Sequence, residues 1–196
     1  MNKKYFLTPI IVLIALCGGE NADVTENNES VETTVSSSVE EPTIDLITAV
    51  IDDDLETVNQ HIAYGSDLNV QDETFSNTPL NFAGIYGLTD IANALIDAGA
   101  DLNLINDDNF TPLCNAAAWG HTSVVTILLD AGADLSAKCF ETQIGVSVSL
   151  SIAIGAPYSD YIKSLYVDHG EKYNIPYDET KIIEGREKVI ELLRSR

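Results

Sequence analysis

The histidine and cysteine residues are the first candidates for chemistry in this chain of 196 residues. The histidines are His61, His121 and His169, and no two of them have a spacing such as i, i+4, which would place two metal ligands on one helix face. We therefore expect no structural zinc site. Cys114 and Cys139 could form a disulfide in an oxidising compartment. That bridge requires Cα atoms within about 7 Å, and two separate thiols are the favoured interpretation.

Two clusters of acidic and amide residues invite a calcium hypothesis, namely Asp52–Asp54 and Asn106–Asn109. Neither cluster has the spacing of an EF-hand loop or its bidentate glutamate, so solvated turns are the favoured interpretation. The sequence also contains no glycine-rich phosphate loop, no nucleophile elbow and no supported Ser/His/Asp set. We expect no catalytic residue, no metal and no cofactor, and a protein that is not an enzyme.

The charge of the chain narrows the class of partner. Ten Lys and Arg residues stand against 31 Asp and Glu residues, which gives a formal net charge of −21. Phosphate binding needs basic side chains, so this balance argues against nucleic acid as a ligand. The same charge opposes adsorption to an anionic lipid surface and would steer a partner with a basic face. The alternative is that the charge serves solubility alone.

Two stretches of the chain repeat each other at an interval of 33 residues. Each contains a Thr-Pro-Leu triplet, then a glycine, and then a second glycine that opens a Gly-Ala-Asp-Leu run. The matched positions are Thr78 with Thr111, Gly87 with Gly120, and Gly99 with Gly132. A register kept over so many positions is typical of a solenoid built from stacked units, which presents an extended binding surface.

Each repeat predicts two short helices. The threonine can cap the first helix, and the proline fits the first helical position, where no N–H partner is needed. Gly87 and Gly120 end the first helices. The second helices have apolar residues at helical spacing, from Ile91 to Ile96 in one copy and from Val124 to Leu129 in the other. Gly99 and Gly132 end these second helices.

These motifs resemble the ankyrin repeat, with clear copies at Glu73–Ile105 and Asn106–Lys138. The resemblance implies an all-α ankyrin-repeat solenoid of about four helix–turn–helix units with a C-terminal capping helix. It also implies a protein-binding role. The histidine that the family places after Thr-Pro-Leu is replaced here by Asn81 and Cys114, so its usual hydrogen bonds are not expected.

The repeats divide the folded domain, residues 43–196, into units. We place the units at about 43–72, 73–105, 106–138 and 139–175, followed by a capping helix at 178–195. Residues 144–152 alternate apolar and polar side chains, which alone would favour a strand. We interpret them instead as a longer turn between repeats that enters a helix near Ser149 to Gly155.

The first 42 residues predict a secretory targeting signal followed by a disordered tether. Residues 1–17 have the layout of a secretory signal, with Lys3 and Lys4 before an apolar run that ends at Cys17. This ending resembles a bacterial lipoprotein signal, which implies acylation of Cys17. The alternative is ordinary cleavage between Cys17 and Gly19. Residues 18–42 are acidic and without apolar period, so we expect a disordered tether.

We therefore predict a non-catalytic protein–protein interaction module that is exported to the bacterial cell envelope, in the periplasm or anchored as a lipoprotein. The partner would be another protein, with a basic face; the module would be a monomer and touch the membrane only through its lipid anchor. The alternative is an immunity or accessory protein that inhibits or protects one envelope enzyme, either a toxin or an enzyme linked to oxidative stress.

In the ankyrin family, binding residues usually lie on the turn tips and on the exposed side of the first helix. Carried onto this sequence, the resemblance assigns partner binding to Thr74, Phe75, Asn77, Ile85, Tyr86, Ile105, Asp107, Asp108, Phe110, Ala118, Trp119 and Lys138.

Overall fold

The computed structural model describes residues 40–141, 147–149, 163, 167, 170–173, 175 and 177–196. Helices come in pairs along the first of these ranges. The pairs are α1 (Leu46–Ile51) with α2 (Leu55–Tyr64), α3 (Pro79–Tyr86) with α4 (Thr89–Asp97), and α5 (Pro112–Ala118) with α6 (Thr122–Asp130). A longer helix, α7 (Glu179–Arg194), follows near the end of the chain. Within the described ranges, no helix has the length and apolar character needed to cross a membrane.

Side-chain caps fix where the first helices begin. The Oγ1 atoms of Thr78 and Thr111 accept hydrogen bonds from the third residue of the respective helix, at 3.1 and 3.2 Å. These bonds satisfy backbone N–H groups that have no partner inside the helix. Gly87 follows α3 at φ 75°, in the left-handed region that glycine adopts at little cost. The predicted caps and the glycine stop are therefore present.

The helix pairs stack in register. The first helices α1, α3 and α5 pack side by side, and the second helices α2, α4 and α6 form a parallel layer behind them. One hydrogen bond recurs between neighbouring units, because the Oδ1 atoms of Asn69 and Asn103 accept from the backbone N–H groups of Asp101 and Asp134 at 2.8 and 2.9 Å. The helical solenoid expected from the repeat is confirmed. The helix pairs bury one shared core, which includes Val50, Val58, Leu80, Phe82, Ile91, Leu95, Leu113, Val124 and Leu128.

A short strand pair follows the third helix pair. Strands β1 (Lys138–Glu141) and β2 (Ser147–Ser149) are antiparallel, with Phe140 opposite Val148. Our interpretation of this segment as a longer turn that enters a helix near Ser149 to Gly155 is wrong at Ser149, which lies in β2. Residues 150–155 lie outside the described residues. The alternation of apolar and polar residues in the sequence indicated the strand. The rest of the predicted fourth unit lies mostly outside the described residues.

Helix α7 closes the stack by packing against α5 and α6. It buries Ile182, Arg186 and Val189 and leaves its acidic face in solvent. The approach is close enough that a Cβ added at Gly185 would lie 2.8 Å from the Cα atom of Gly120. Two glycines therefore permit the backbones to meet, and α7 serves as the C-terminal cap that the sequence predicts.

Candidate partner-binding surface

Four of the residues predicted to contact a partner are buried. Asn77 and Ile85 are 0 % exposed, Phe110 is 6 % exposed and Trp119 is 7 % exposed. The prediction that these side chains lie on a contact surface is wrong. Ile85 faces the core from α3, and the other three are enclosed by neighbouring turns or lie beside the end of the chain.

Seven of the remaining eight predicted residues are exposed or half-buried. Ile105 is 50 % exposed, and Thr74 and Asp107 are also exposed. Half-buried positions are held by Phe75, Tyr86, Asp108 and Ala118. Lys138 begins β1. These residues lie on the turns and at the ends of α3 and α5, and their role in partner binding stays a prediction.

Hydrogen bonds within and between successive turns hold Asn77 and Phe110 in their buried positions. Asn106 donates from its Nδ2 atom to Oδ1 of Asn77 at 2.8 Å, and its own Oδ1 atom accepts from the backbone N–H of Phe110 at 2.8 Å. The backbone N–H of Asp107 donates to the carbonyl of Phe75 at 2.9 Å. The turns of adjacent repeats therefore form one continuous hydrogen-bonded edge.

Tyr173, which is not among the predicted contact residues, contacts the predicted surface from far along the chain. Its ring lies edge-on to Phe82, with centroids 4.9 Å apart, and 5.9 Å from Phe75. Its hydroxyl donates to Oδ2 of Asp72 at 2.9 Å, and its main-chain carbonyl accepts from the hydroxyl of Tyr86 at 2.9 Å. We call the four residues that hold it, Asp72, Phe75, Phe82 and Tyr86, the aromatic site.

The electrostatics of the aromatic site keep both tyrosines protonated. Burial raises the pKa of Tyr86 to about 12, with the carboxylate of Asp52 adding to the effect. Burial also raises the pKa of Tyr173, and the hydrogen bond to Asp72 acts in the same direction, because the neutral phenol is the donor. Both hydroxyls therefore remain hydrogen-bond donors over the physiological range.

A cavity of about 370 Å³ lies beside the aromatic site. Its walls include Tyr86 at the end of α3, Trp119 directly after α5, Ile175, and Ile182 of α7. Trp119 is the single tryptophan of the sequence. The C-terminal residues thus line the same space as the aromatic pair that the sequence analysis proposed as partner anchors.

The histidines that the structure describes have structural partners. His121 places Nε2 2.9 Å from the carbonyl oxygen of Ile85, and burial lowers its pKa, an effect that this carbonyl partly opposes. His61 contacts the carbonyl of Ile44 at 2.7 Å and the hydroxyl of Ser66 at 2.9 Å. Across the described ranges, no three His, Cys, Asp or Glu side chains form a group that could hold a metal ion.

Cys114 and Cys139 form a disulfide, and their Cα atoms are 5.3 Å apart. The favoured interpretation of two separate thiols is therefore wrong. Cys114 lies in the first turn of α5, and β1 returns the chain alongside it. The register of the repeat does not specify this return.

Exposed carboxylates recur once in each unit at the turn after the second helix. Asp67, Asp101 and Asp134 are exposed, and each accepts a hydrogen bond from the backbone N–H two residues later, at 2.8 to 2.9 Å. We call these three residues the carboxylate row. Since the row follows the stack, it presents negative charge along the length of the solenoid.

Comparison with known proteins agrees with this architecture. The model of a family described as ankyrin repeats (3 copies) matches residues 46–139. A 60-residue segment is 45 % identical to mouse (Mus musculus) protein phosphatase 1 regulatory subunit 27. This match covers 31 % of the chain and 38 % of the mouse protein. Residues 46–139 are therefore similar to three ankyrin repeats, and the chain spans well under half the length of the mouse protein.

Proposed function

We propose that this chain with three ankyrin repeats is a non-catalytic module that binds another protein through a basic face of that partner. The carboxylate row carries the proposal, because it places Asp67, Asp101 and Asp134 in equivalent exposed positions on successive units. A net charge of −21 would accelerate the approach of a basic partner at low salt. We propose that the module acts as a monomer, which size-exclusion chromatography with light scattering would test.

Affinity capture from native envelope extracts tests the binding proposal. The full chain should retain a protein at low ionic strength and lose much of it at high salt, since exposed charges are screened beyond about 10 Å at 0.1 M. The variant Asp101→Asn/Asp134→Asn should capture less. The matched control Asp90→Asn/Asp97→Asn removes the same charge from exposed positions of α4 and should capture as the unaltered chain does.

Two results would contradict the binding proposal. Failure to capture any protein at either salt concentration would reject an interaction module. Equal loss in both double variants would show that overall charge, rather than the carboxylate row, governs the interaction.

The proposed location is the bacterial cell envelope, by secretion and acylation of Cys17. The apolar run before Cys17 supports this location, and so does the Cys114–Cys139 disulfide, because disulfides persist mainly in oxidising compartments. Mass spectrometry of the processed N-terminus should find an acylated cysteine, and Cys17→Ser should release the protein from the membrane fraction. An unmodified N-terminus beyond Cys17 would favour a secreted soluble form.

The alternative proposal is that the partner is an enzyme that the module inhibits or protects. The mouse protein that shares the repeat segment is named a phosphatase regulatory subunit, so its name places a repeat of this kind in a regulatory protein. Activity assays on the captured protein, with and without the module, would distinguish regulation from binding alone.

A further inference from the structure

We propose that the aromatic site is a recognition site for a tyrosine of a partner polypeptide, and that Tyr173 is the occupant supplied by the chain itself. This inference rests on the proposed function, since it names the chemical feature of the partner that the module would bind. Its evidence is the set of contacts that Tyr173 makes with Asp72, Phe75, Phe82 and Tyr86.

The site contacts both the side chain and the backbone of its tyrosine. The ring of Tyr173 lies edge-on to Phe82, an arrangement that aromatic pairs prefer. The main-chain carbonyl of Tyr173 accepts from Tyr86 at 2.9 Å. Side chain and backbone together fix the orientation of the occupant.

Asp72 makes the site selective for a hydroxyl. Its Oδ1 atom accepts from the backbone N–H of Asn77 at 2.6 Å and closes the turn, while Oδ2 accepts from the hydroxyl of Tyr173. Asn106 closes the corresponding turn of the next repeat through Oδ1 in the same way, but its second group is an amide that donates to Asn77. An aspartate at position 72 therefore supplies a charged acceptor, whose Oδ2 atom also accepts from the backbone N–H of Thr74 at 2.9 Å. A phenylalanine or leucine in the site would form no hydrogen bond with this carboxylate.

The position of the aromatic site suits a partner. It combines a turn, from Asp72 to Phe75, with the first helix of a repeat, from Phe82 to Tyr86, which is the side that the ankyrin resemblance assigns to partner binding. Phe82 is 0 % exposed and forms the floor, whereas Phe75, Tyr86 and Tyr173 itself are half-buried. The edge of the site therefore reaches solvent, where a second tyrosine would enter as Tyr173 leaves.

A peptide experiment on the full chain tests the inference. The probe is a synthetic peptide with the sequence of residues 168–176, which contains one tyrosine, and the matched control peptide has phenylalanine at that position. Binding is followed by NMR up to millimolar peptide, because a short tether gives the internal occupant an effective concentration in that range. The Tyr173→Ala chain should bind the tyrosine peptide about tenfold more tightly than the unaltered chain does, since its site is no longer occupied.

The discrimination between the two peptides locates the binding. The Tyr173→Ala chain should prefer the tyrosine peptide about tenfold over the phenylalanine peptide, because only the tyrosine adds a hydrogen bond to a charged acceptor. Adding Asp72→Asn should reduce this preference. Circular dichroism checks that each variant keeps its helices, and Tyr173→Phe replaces Tyr173→Ala if the alanine variant does not.

Equal binding of the two peptides, or no binding by a folded chain with an altered Tyr173, would overturn the inference. Its failure is distinct from failure of the proposed function. Capture of a protein from the envelope without peptide binding would refute only the tyrosine site. Selective peptide binding without any captured protein would support the site and refute the wider proposal.

Discussion

Replacement of Gly185 by alanine should shift the position of α7 against the end of the repeat stack. A Cβ at this position would lie 2.8 Å from the Cα atom and 2.9 Å from the carbonyl carbon of Gly120. These are backbone atoms of a residue at φ 79°, so no side-chain rotation can relieve the contact. The two backbones must therefore separate by several tenths of an ångström.

The size of the effect follows from two opposing contributions. Overpacking of this kind costs about 1–3 kcal/mol. Alanine in place of glycine within a helix returns roughly 0.5–1 kcal/mol. The net loss in the free energy of unfolding should be about 1–2 kcal/mol. Burial of Ile182 and Val189 contributes roughly 3–6 kcal/mol, more than the strain, so α7 should shift rather than detach.

Urea denaturation and tryptophan fluorescence measure this displacement. With a slope of about 2 kcal/mol per molar urea, the midpoint should fall by about 0.5–1 M. Trp119 reports on the same region, because it lines a cavity with Ile182 and is the single tryptophan. Its emission should shift to the red as water approaches. The control Glu187→Ala alters an exposed position of the same helix and should change stability by less than about 0.5 kcal/mol.

The reasoning on α7 would be refuted if Gly185→Ala left both the urea midpoint and the emission maximum unchanged. That outcome would mean that the close approach of the two glycine backbones does not constrain the position of the helix.

Three further predictions concern pH, the disulfide and a helix cap. The pKa of His121 is lower in the folded chain than in the unfolded chain, so the unfolded chain binds more protons. The free energy of unfolding should therefore fall as the pH drops from about 6.5 towards the lower folded pKa. The variant His121→Gln should flatten this part of the stability–pH curve. Cys114→Ala/Cys139→Ala should lower the free energy of unfolding by roughly 3 kcal/mol, and a reducing agent should then have no further effect on the urea midpoint. Thr111→Ala should cost about 1–2 kcal/mol through loss of the α5 cap, whereas Thr111→Ser should restore most of it in the same assay. A flat pH response in the unaltered chain, an unchanged midpoint after loss of the disulfide, or equal stability of the two Thr111 variants would contradict the respective argument.

The sequence predicted the parts of the fold that depend on neighbouring residues or on the repeat register. The threonine caps at Thr78 and Thr111 and the turn at Gly87 each follow from one local rule. The stacking of helix pairs follows from the interval of 33 residues, because equivalent apolar faces must meet. These features could be read from the sequence since their causes lie within one repeat or between two adjacent ones.

The aromatic site could not be predicted in the same way. Tyr173 contacts Tyr86, which lies 87 positions earlier in the sequence, and Asp72, which lies 101 positions earlier. No periodicity links Tyr173 to either residue. Trp119 had the residue type and position of an interface anchor, but its burial is determined by how the end of the chain returns to the stack. Asp72 carried a weak signal: it is an aspartate in a turn where the next repeat uses Asn106.

The occupied aromatic site has a consequence for how tightly a partner can bind. Two edge-on aromatic contacts and a hydrogen bond to a carboxylate would together contribute about 3–6 kcal/mol. Ordering residues 170–173 would cost about 4–8 kcal/mol of backbone entropy, so these contacts leave at most about 2 kcal/mol to hold Tyr173 in place, a range that includes the tenfold effect expected of its removal. An internal occupant held this weakly lowers the affinity of a competing tyrosine by the fraction of time that the site is free. The occupant would therefore moderate binding at the aromatic site without abolishing it, and a partner first attracted by the carboxylate row would need to supply only a small additional energy to replace it.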